Sequence, residues 1–242
     1  MVTVRAMTLL RLARQVAMPE VCPCCLARQP LGDPDCSGLC SECRAQCGEF
    51  TGRRCSGCGG ALDGVLATCS DCLQAPERPW QNAVSVFPFG GKVRELVHRF
   101  KYRRHTYLAR FFAERMLLNW DRHGGGAPDV VTPVPLHWFK QVCRGYNQAE
   151  LLAEQISNAL RVPCVSPVRR SRWTAQQAML DFGARQDNMK NAFVLTEPQG
   201  LSGRHVLVVD DVMTTGATVA DFTRTLLSAE PNAVSVLTAA RG

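Results

Sequence analysis

The sequence predicts an α/β protein, a parallel sheet flanked by helices, preceded by a small cysteine-rich module built around metal. Three observations carry this reading. Residues 206–218, Val-Leu-Val-Val-Asp-Asp-Val-Met-Thr-Thr-Gly-Ala-Thr, run from a buried apolar strand through an acidic pair into a small-residue turn. From residue 83 onward, strand-like and helix-like runs alternate, the order that builds parallel sheets. Ahead of them, eight cysteines fall into four C-x-x-C pairs.

Composition sets the frame. With 242 residues, 46% hydrophobic and 20% charged, the chain has the composition of a soluble globular protein of one large or two modest domains. No apolar run reaches the roughly 20 residues of a membrane span. The net charge of +7 is unevenly placed: residues 1–79 hold eight basic and eight acidic side chains, residues 80–242 twenty and thirteen. The excess suits an anionic partner such as a polyphosphate or nucleic acid, and equally a merely soluble basic surface.

Residues 1–19 read as a short amphipathic helix with Leu9, Leu12, Ala13 and Val16 on one side. Arg5, Arg11 and Arg14 interrupt the apolar core that an export signal requires, so a cytoplasmic location is expected, although an acid-free, arginine-bearing start also suits a transit peptide.

Residues 20–76 form the cysteine module. Of thirteen cysteines, eleven lie between Cys22 and Cys72. A C-x-x-C turn places two thiolates on one side of a metal, and two such knuckles complete a tetrahedral zinc site. Fourteen residues separate the first two pairs and ten the last two, room for a short hairpin each. Sequential pairing gives two structural Zn²⁺ sites: Cys22, Cys25, Cys40 and Cys43, then Cys55, Cys58, Cys69 and Cys72. Cys24, Cys36 and Cys47 are left over, and Cys24 lies inside the first knuckle. All eight thiolates are used as ligands, so neither site keeps an open position for catalysis. Ribbons of this kind hold nucleic acid or protein, or serve only as rigid modules, and both readings stand.

A proline-bounded linker, 76–79, leads into the main domain, 80–242. Residues 83–87 read as a strand and 92–104 as a helix with Val93, Leu96, Val97 and Phe100 on its apolar face. The other face carries Arg94, Arg99, Lys101, Arg103 and Arg104, a nucleic-acid patch or simply a solvated surface. A helix over 107–120 follows, then a strand over 129–132 running into Pro133, Val134, Pro135 and Leu136. Arg144-Gly145-Tyr146-Asn147-Gln148 opens a helix through Leu151, Leu152 and Ile156, with Asn147 suited to cap it. Residues 169–188, rich in Arg, Gln and Ser/Thr, lack apolar periodicity, and such long irregular stretches are usually functional. The strand over 206–209, a helix through Ala220, Phe222 and Leu226, and a strand over 233–237 complete the domain.

Ligands of open parallel sheets bind beyond the carboxyl ends of the strands. There, Asp210 and Asp211 suit sugar hydroxyls or a ligand-borne metal. The turn of Thr214, Thr215, Gly216, Ala217 and Thr218 offers backbone N–H groups and a helix N-terminus to a phosphate. Together these describe a ribose-phosphate site.

This segment resembles the 5-phosphoribosyl-1-diphosphate (PRPP) binding motif of type I phosphoribosyltransferases. With the four cysteine knuckles, the Arg144–Gln148 peptide, and Thr174, Gln177, Arg185 and Asn188 in a T-x-x-Q…R-x-x-N pattern, the chain from Val21 to Arg241 resembles the ComF family (the ComFC/GntX-like group). That resemblance implies a double zinc ribbon joined to a type I phosphoribosyltransferase-like sheet. It assigns Asp210 and Asp211 to the ribose 2- and 3-hydroxyls, the residues from Thr214 to Thr218 to the 5-phosphate, and Pro133, Val134, Pro135 and Leu136 to the diphosphate. Arg144 and, from the loop over 169–188, Arg185 are expected to stabilise the leaving diphosphate with Mg²⁺. Asp211 is the candidate base, although hydroxyl binding is its milder role. The expected activity is phosphoribosyl transfer from Mg-PRPP to an acceptor the sequence does not name, linked to competence and DNA uptake or to nucleotide metabolism. The alternative is a non-catalytic PRPP- or nucleotide-sensing adaptor that engages single-stranded DNA or competence proteins.

Overall fold

The computed structural model describes residues 21–28, 39–75, 77–170, 192–198 and 200–242. The helix expected over 1–19, together with Cys36, Thr174, Gln177, Arg185 and Asn188, lies outside the described residues. The chain divides into two compact units, Met1–Gly48 and Glu49–Gly242.

In the smaller unit, Val21 and Arg28 form an antiparallel bridge that closes the first knuckle. One short helix follows, α1 (Ser41–Gln46), with Cys40 at its N-cap and Cys43 buried inside it.

The larger unit opens on the second cysteine group, whose last knuckle also starts a short helix, α2 (Ser70–Gln74). Its sheet strands are β1 (Asn82–Pro88), β2 (Val130–Pro133), β5 (His205–Met213) and β6 (Ala233–Arg241). Their order is β1-β6-β5-β2 and every pair is parallel, with Val208 opposite Val236 on one side and Thr132 on the other. Val206, Leu207, Val208 and Val209 are all buried, as expected where both faces of a parallel sheet are covered.

The connecting helices are α3 (Gly91–Tyr102), α4 (Leu108–His123), α5 (Trp138–Arg144), α6 (Gln148–Leu160) and α7 (Ala217–Leu227). On α3, Val93, Leu96, Val97 and Phe100 are buried, the face that the 3.6-residue period selects. Helix α4 packs on β1 and β6, and α6 on β2 and β5, with the two helices in contact. Val206, Val208, Val234 and Val236 share one core with Phe222 and Leu226 of α7 and with Cys55, Cys58, Cys72 and Trp80. By strand alternation this is one face of the sheet. The second cysteine group is therefore a wall of the main core.

Three elements were not anticipated. Helix α5 has no buried residue, with Trp138 and Val142 exposed, so no apolar stripe announces it; the His137 side chain caps it by accepting from the Phe139 N–H at 3.2 Å. Strands β3 (Val168–Arg170) and β4 (Phe193–Leu195) pair antiparallel. They are three residues each, too short for any period-2 signal. Arg169 and Arg170, expected in an irregular stretch, thus belong to a strand. Strand β5 also runs past residue 209 to Met213, so the acidic pair sits within its end.

Candidate functional site

The site lies at the carboxyl ends of β2 and β5, where a single pocket collects residues from five segments of the larger unit. Strand β5 delivers Asp210 and Asp211, and the segment behind it delivers Thr214, Thr215, Gly216, Ala217 and Thr218. Gly216 is the N-cap of α7 with φ +78°, a left-handed conformation that glycine adopts without strain. The first turn of α7, whose N–H groups have no intrahelical acceptor, therefore starts at the pocket, which Ala217, Thr218 and Val219 line. After β2 come Val134, Pro135 and Leu136, which line the same pocket; Pro133 is the last residue of β2, opposite Val209.

The Arg144–Gln148 peptide is a joint between α5 and α6. Gly145, at φ +84°, terminates α5. The Tyr146 hydroxyl donates to the Phe100 carbonyl, which ties the joint to α3. Asn147 caps α6 by accepting from the Ala149 N–H at 3.1 Å, and its amide donates to the Val134 carbonyl at 3.2 Å. One side chain therefore starts a helix and fixes the backbone after β2. Arg144 donates to Gln148 at 2.9 Å and to the Tyr102 hydroxyl at 3.1 Å, lies over the Tyr102 ring, and faces the pocket. Arg185 lies outside the described residues.

The pocket is charged on opposing sides. Asp211 is buried and makes a 2.9 Å ion pair with Lys101. Burial, reinforced by the neighbouring Asp211 charge, pushes the Asp210 carboxyl up to about 7; Lys101 opposes that rise. Around the pair stand Lys101, Lys140, Arg144 and Arg170. Burial lowers Lys140, and the charges of Arg170, Arg144 and Lys101 lower it further, the signature of crowded cations. Arg170 is lowered by burial, with Asp210 and Asp221 acting the other way. Lys140 and Arg170 were missed as site residues: one sits on a solvated helix, the other at the end of a three-residue strand. A negative ligand bearing hydroxyls at one end complements this arrangement.

Among the described residues, two groups of four cysteines hold their ligand atoms within 4.8 Å of one another: Cys22, Cys25, Cys40 and Cys43, and Cys55, Cys58, Cys69 and Cys72. The Sγ–Sγ separations of 3.7 Å (Cys25–Cys40) and 3.8 Å (Cys58–Cys69) match the edge of about 3.8 Å of a tetrahedron with Zn–S bonds of about 2.3 Å. Burial raises the Cys22 and Cys55 thiols, but several backbone N–H donors outweigh it and bring each down to about 7. Both groups fit zinc. Cys24 and Cys47 are buried thiols outside the two sets of four.

The sequence comparisons agree with this fold. The family model for the phosphoribosyl transferase domain matches residues 144–242. The chain is 37% identical over 219 residues to the DNA utilization protein YhgH of Escherichia coli K12, covering 88% of this chain and 94% of that one. It is 34% identical over 196 residues to competence protein F of Haemophilus influenzae, covering 78% and 84%. With competence protein ComFC of Bacillus subtilis it shares 25% over 201 residues, 78% of each chain.

Proposed function

The chain belongs to the ComF family, and we propose that its larger unit binds Mg-PRPP and transfers the phosphoribosyl group to an acceptor. The observation that carries this reading is the meeting, in one pocket, of a carboxylate pair, a glycine-capped helix N-terminus and four cations. In the proposed complex, Asp210 and Asp211 accept hydrogen bonds from the ribose 2- and 3-hydroxyls. The backbone from Thr214 to Thr218 holds the 5-phosphate, and Val134, Pro135 and Leu136 with Lys140 and Arg144 hold the diphosphate. The carboxylate oxygens of Asp210 and Asp211 would suit the hard Mg²⁺ ion that the diphosphate brings.

In the transfer, the C1–O bond to diphosphate breaks with its electron pair leaving on oxygen, and a bond from the acceptor nucleophile to C1 forms. The proton displaced from the acceptor passes to Asp211 or to water. The chain contributes position and charge: the cations stabilise the leaving diphosphate, and the aspartates fix the ring that becomes cationic. Calorimetry with Mg-PRPP tests the binding step. Asp210→Asn with Asp211→Asn is expected to weaken PRPP by more than about 100-fold, from the loss of two charge-assisted contacts, while the protein stays folded. Unchanged affinity sinks the assignment.

A second reading has an observation in its favour. Exposed Trp138, Phe139 and Tyr102 flank Lys101, Lys140 and Arg144 beside the pocket, a pairing of aromatic faces and cations that suits single-stranded nucleic acid, and relatives carry names tied to DNA utilization and competence. Here PRPP is a signal and nucleic acid the partner. Diphosphate release from PRPP with a panel of bases and amines supports the transferase. Salt-dependent DNA binding that survives loss of the aspartates, with no diphosphate release, supports the adaptor.

A further inference from the structure

Arg78 connects the second cysteine group to the phosphate turn. It follows the last knuckle by six positions and lies two residues before buried Trp80. Its side chain runs past Gly57, inside the Cys55–Cys58 knuckle: a Cβ added at Gly57 would stand 3.6 Å from Arg78 Cγ. The guanidinium then stacks against Trp80, 5.5 Å from the ring centroid, and Trp80 is itself anchored by donating from Nε1 to the Gly57 carbonyl at 3.0 Å. At its far end Arg78 abuts Gly216, the N-cap of α7. A Cβ there would fall 2.7 Å from a terminal guanidinium nitrogen and 3.3 Å from Cζ, so the bare glycine lets the guanidinium come close to the turn.

The electrostatics are unfavourable as they stand. A guanidinium beside a helix N-terminus places positive charge against the positive end of the dipole. No carboxylate pairs with Arg78 among the described residues, and its Nε is buried without a hydrogen-bond partner. A dianionic phosphate on the turn would attract both the guanidinium and the helix N-terminus, and so offset their mutual repulsion. Arg78 does not line the pocket, so it acts through the turn and through its field.

We propose that Arg78 is a positioning residue for the sugar-phosphate end of the site, and that through it the Cys55, Cys58, Cys69 and Cys72 site sets phosphate affinity. This rests on the reading of the residues from Thr214 to Thr218 as the 5-phosphate turn. It makes the second metal site a component of ligand recognition in addition to a staple of the core.

The test uses the full, zinc-loaded chain and two probes, ribose 5-phosphate and Mg-diphosphate, each titrated by calorimetry. Arg78→Gln, which keeps the stem and removes the charge, is expected to weaken ribose 5-phosphate about tenfold and Mg-diphosphate less than about twofold, at unchanged zinc content. A loss that is equal for the two probes, or no loss, overturns the proposal, because a merely structural role has no reason to choose between ends of the ligand. Arg78→Lys keeps the charge on a different head and is expected to restore ribose 5-phosphate affinity to within about threefold of the original chain. If the Gln variant does not fold, Arg78→Met, which also removes the charge, takes its place at unchanged zinc content: a loss confined to ribose 5-phosphate supports the proposal, and an equal or absent loss ends it. Failure of the unaltered chain to bind either probe or PRPP refutes the functional reading itself. Binding by the unaltered chain with indifferent Arg78 variants refutes only this inference.

Discussion

The two four-cysteine groups are built alike and placed differently. In each, the third cysteine caps a one-turn helix that carries the fourth: Cys40 begins α1 and Cys69 begins α2. In each, the backbone N–H of that third cysteine donates to the first thiol, Cys40 to Cys22 at 3.4 Å and Cys69 to Cys55 at 3.3 Å. The surroundings then diverge. The first group belongs to the unit ending at Gly48. The second is joined to the main sheet by its own backbone: Ser85 donates from its N–H to the Gly59 carbonyl at 3.1 Å and from its hydroxyl to the Cys58 carbonyl at 2.9 Å. Phe50 donates to the Val86 carbonyl at 2.9 Å, and Arg54 donates to Asn119 of α4 at 2.8 Å. Ligand spacing fixes what a knuckle does to a metal. What the metal then stabilises depends on which core the knuckle packs against.

The largest expected effect breaks or confirms this contrast directly. Cys55→Ser with Cys58→Ser is expected to remove one zinc, lower the Tm of the larger unit by more than about 10 °C and abolish PRPP binding, because metal binding and folding free energy are one quantity in such a site. Cys22→Ser with Cys25→Ser is expected to remove one zinc and leave PRPP affinity within about twofold. Metal analysis, thermal melts and calorimetry on the two double variants read this out, and equal loss of PRPP binding in both would erase the distinction.

A smaller effect concerns one glycine. Gly59 has φ +70°, and a Cβ on it would meet the Ser85 nitrogen at 2.4 Å. Gly59→Ala is expected to cost about 2–4 kcal/mol in chemical denaturation, from backbone strain and loss of the knuckle's seat on β1. Gly48→Ala, where nothing lies within 4 Å, is expected to stay within about 0.5 kcal/mol.

The smallest effect is a pH dependence inside the larger unit. Asp210 is raised from 3.8 to about 7, so the folded chain binds its proton more tightly than the unfolded chain does. Its contribution to stability is fully present below pH 3.8 and is lost as pH rises through about 7. Asp210→Asn is therefore expected to raise Tm by about 2–4 °C at pH 8 and to leave it unchanged near pH 3.8. Ligand binding runs the other way: a carboxylate must be ionised to accept the ribose hydroxyls, so PRPP affinity in the unaltered chain is expected to fall as pH drops below about 7. A pH series of melts and titrations shows whether the site stores instability that the ligand relieves.

Much of the site was legible because short local patterns carried it. The apolar run at 206–209 with two aspartates behind it needed only strand burial and a chain reversal to be read, and the C-x-x-C pairs needed only metal geometry. Lys140 and Arg170 were not legible, since a cation on a helix without a buried face, or at the end of a three-residue strand, looks like any solvated charge. The same holds for Arg78, which reads as part of a linker until its neighbours are known.

By itself, the sequence determined the candidate site residues and the alternation of strand and helix, since both depend on residue type and spacing along a few turns of chain. Tertiary structure alone decided which cations gather around Asp210 and Asp211, and that the second cysteine group closes the main core while the first belongs to another unit. Those outcomes depend on contacts between segments more than a hundred residues apart in places, such as Arg78 with Gly216, which no local pattern encodes.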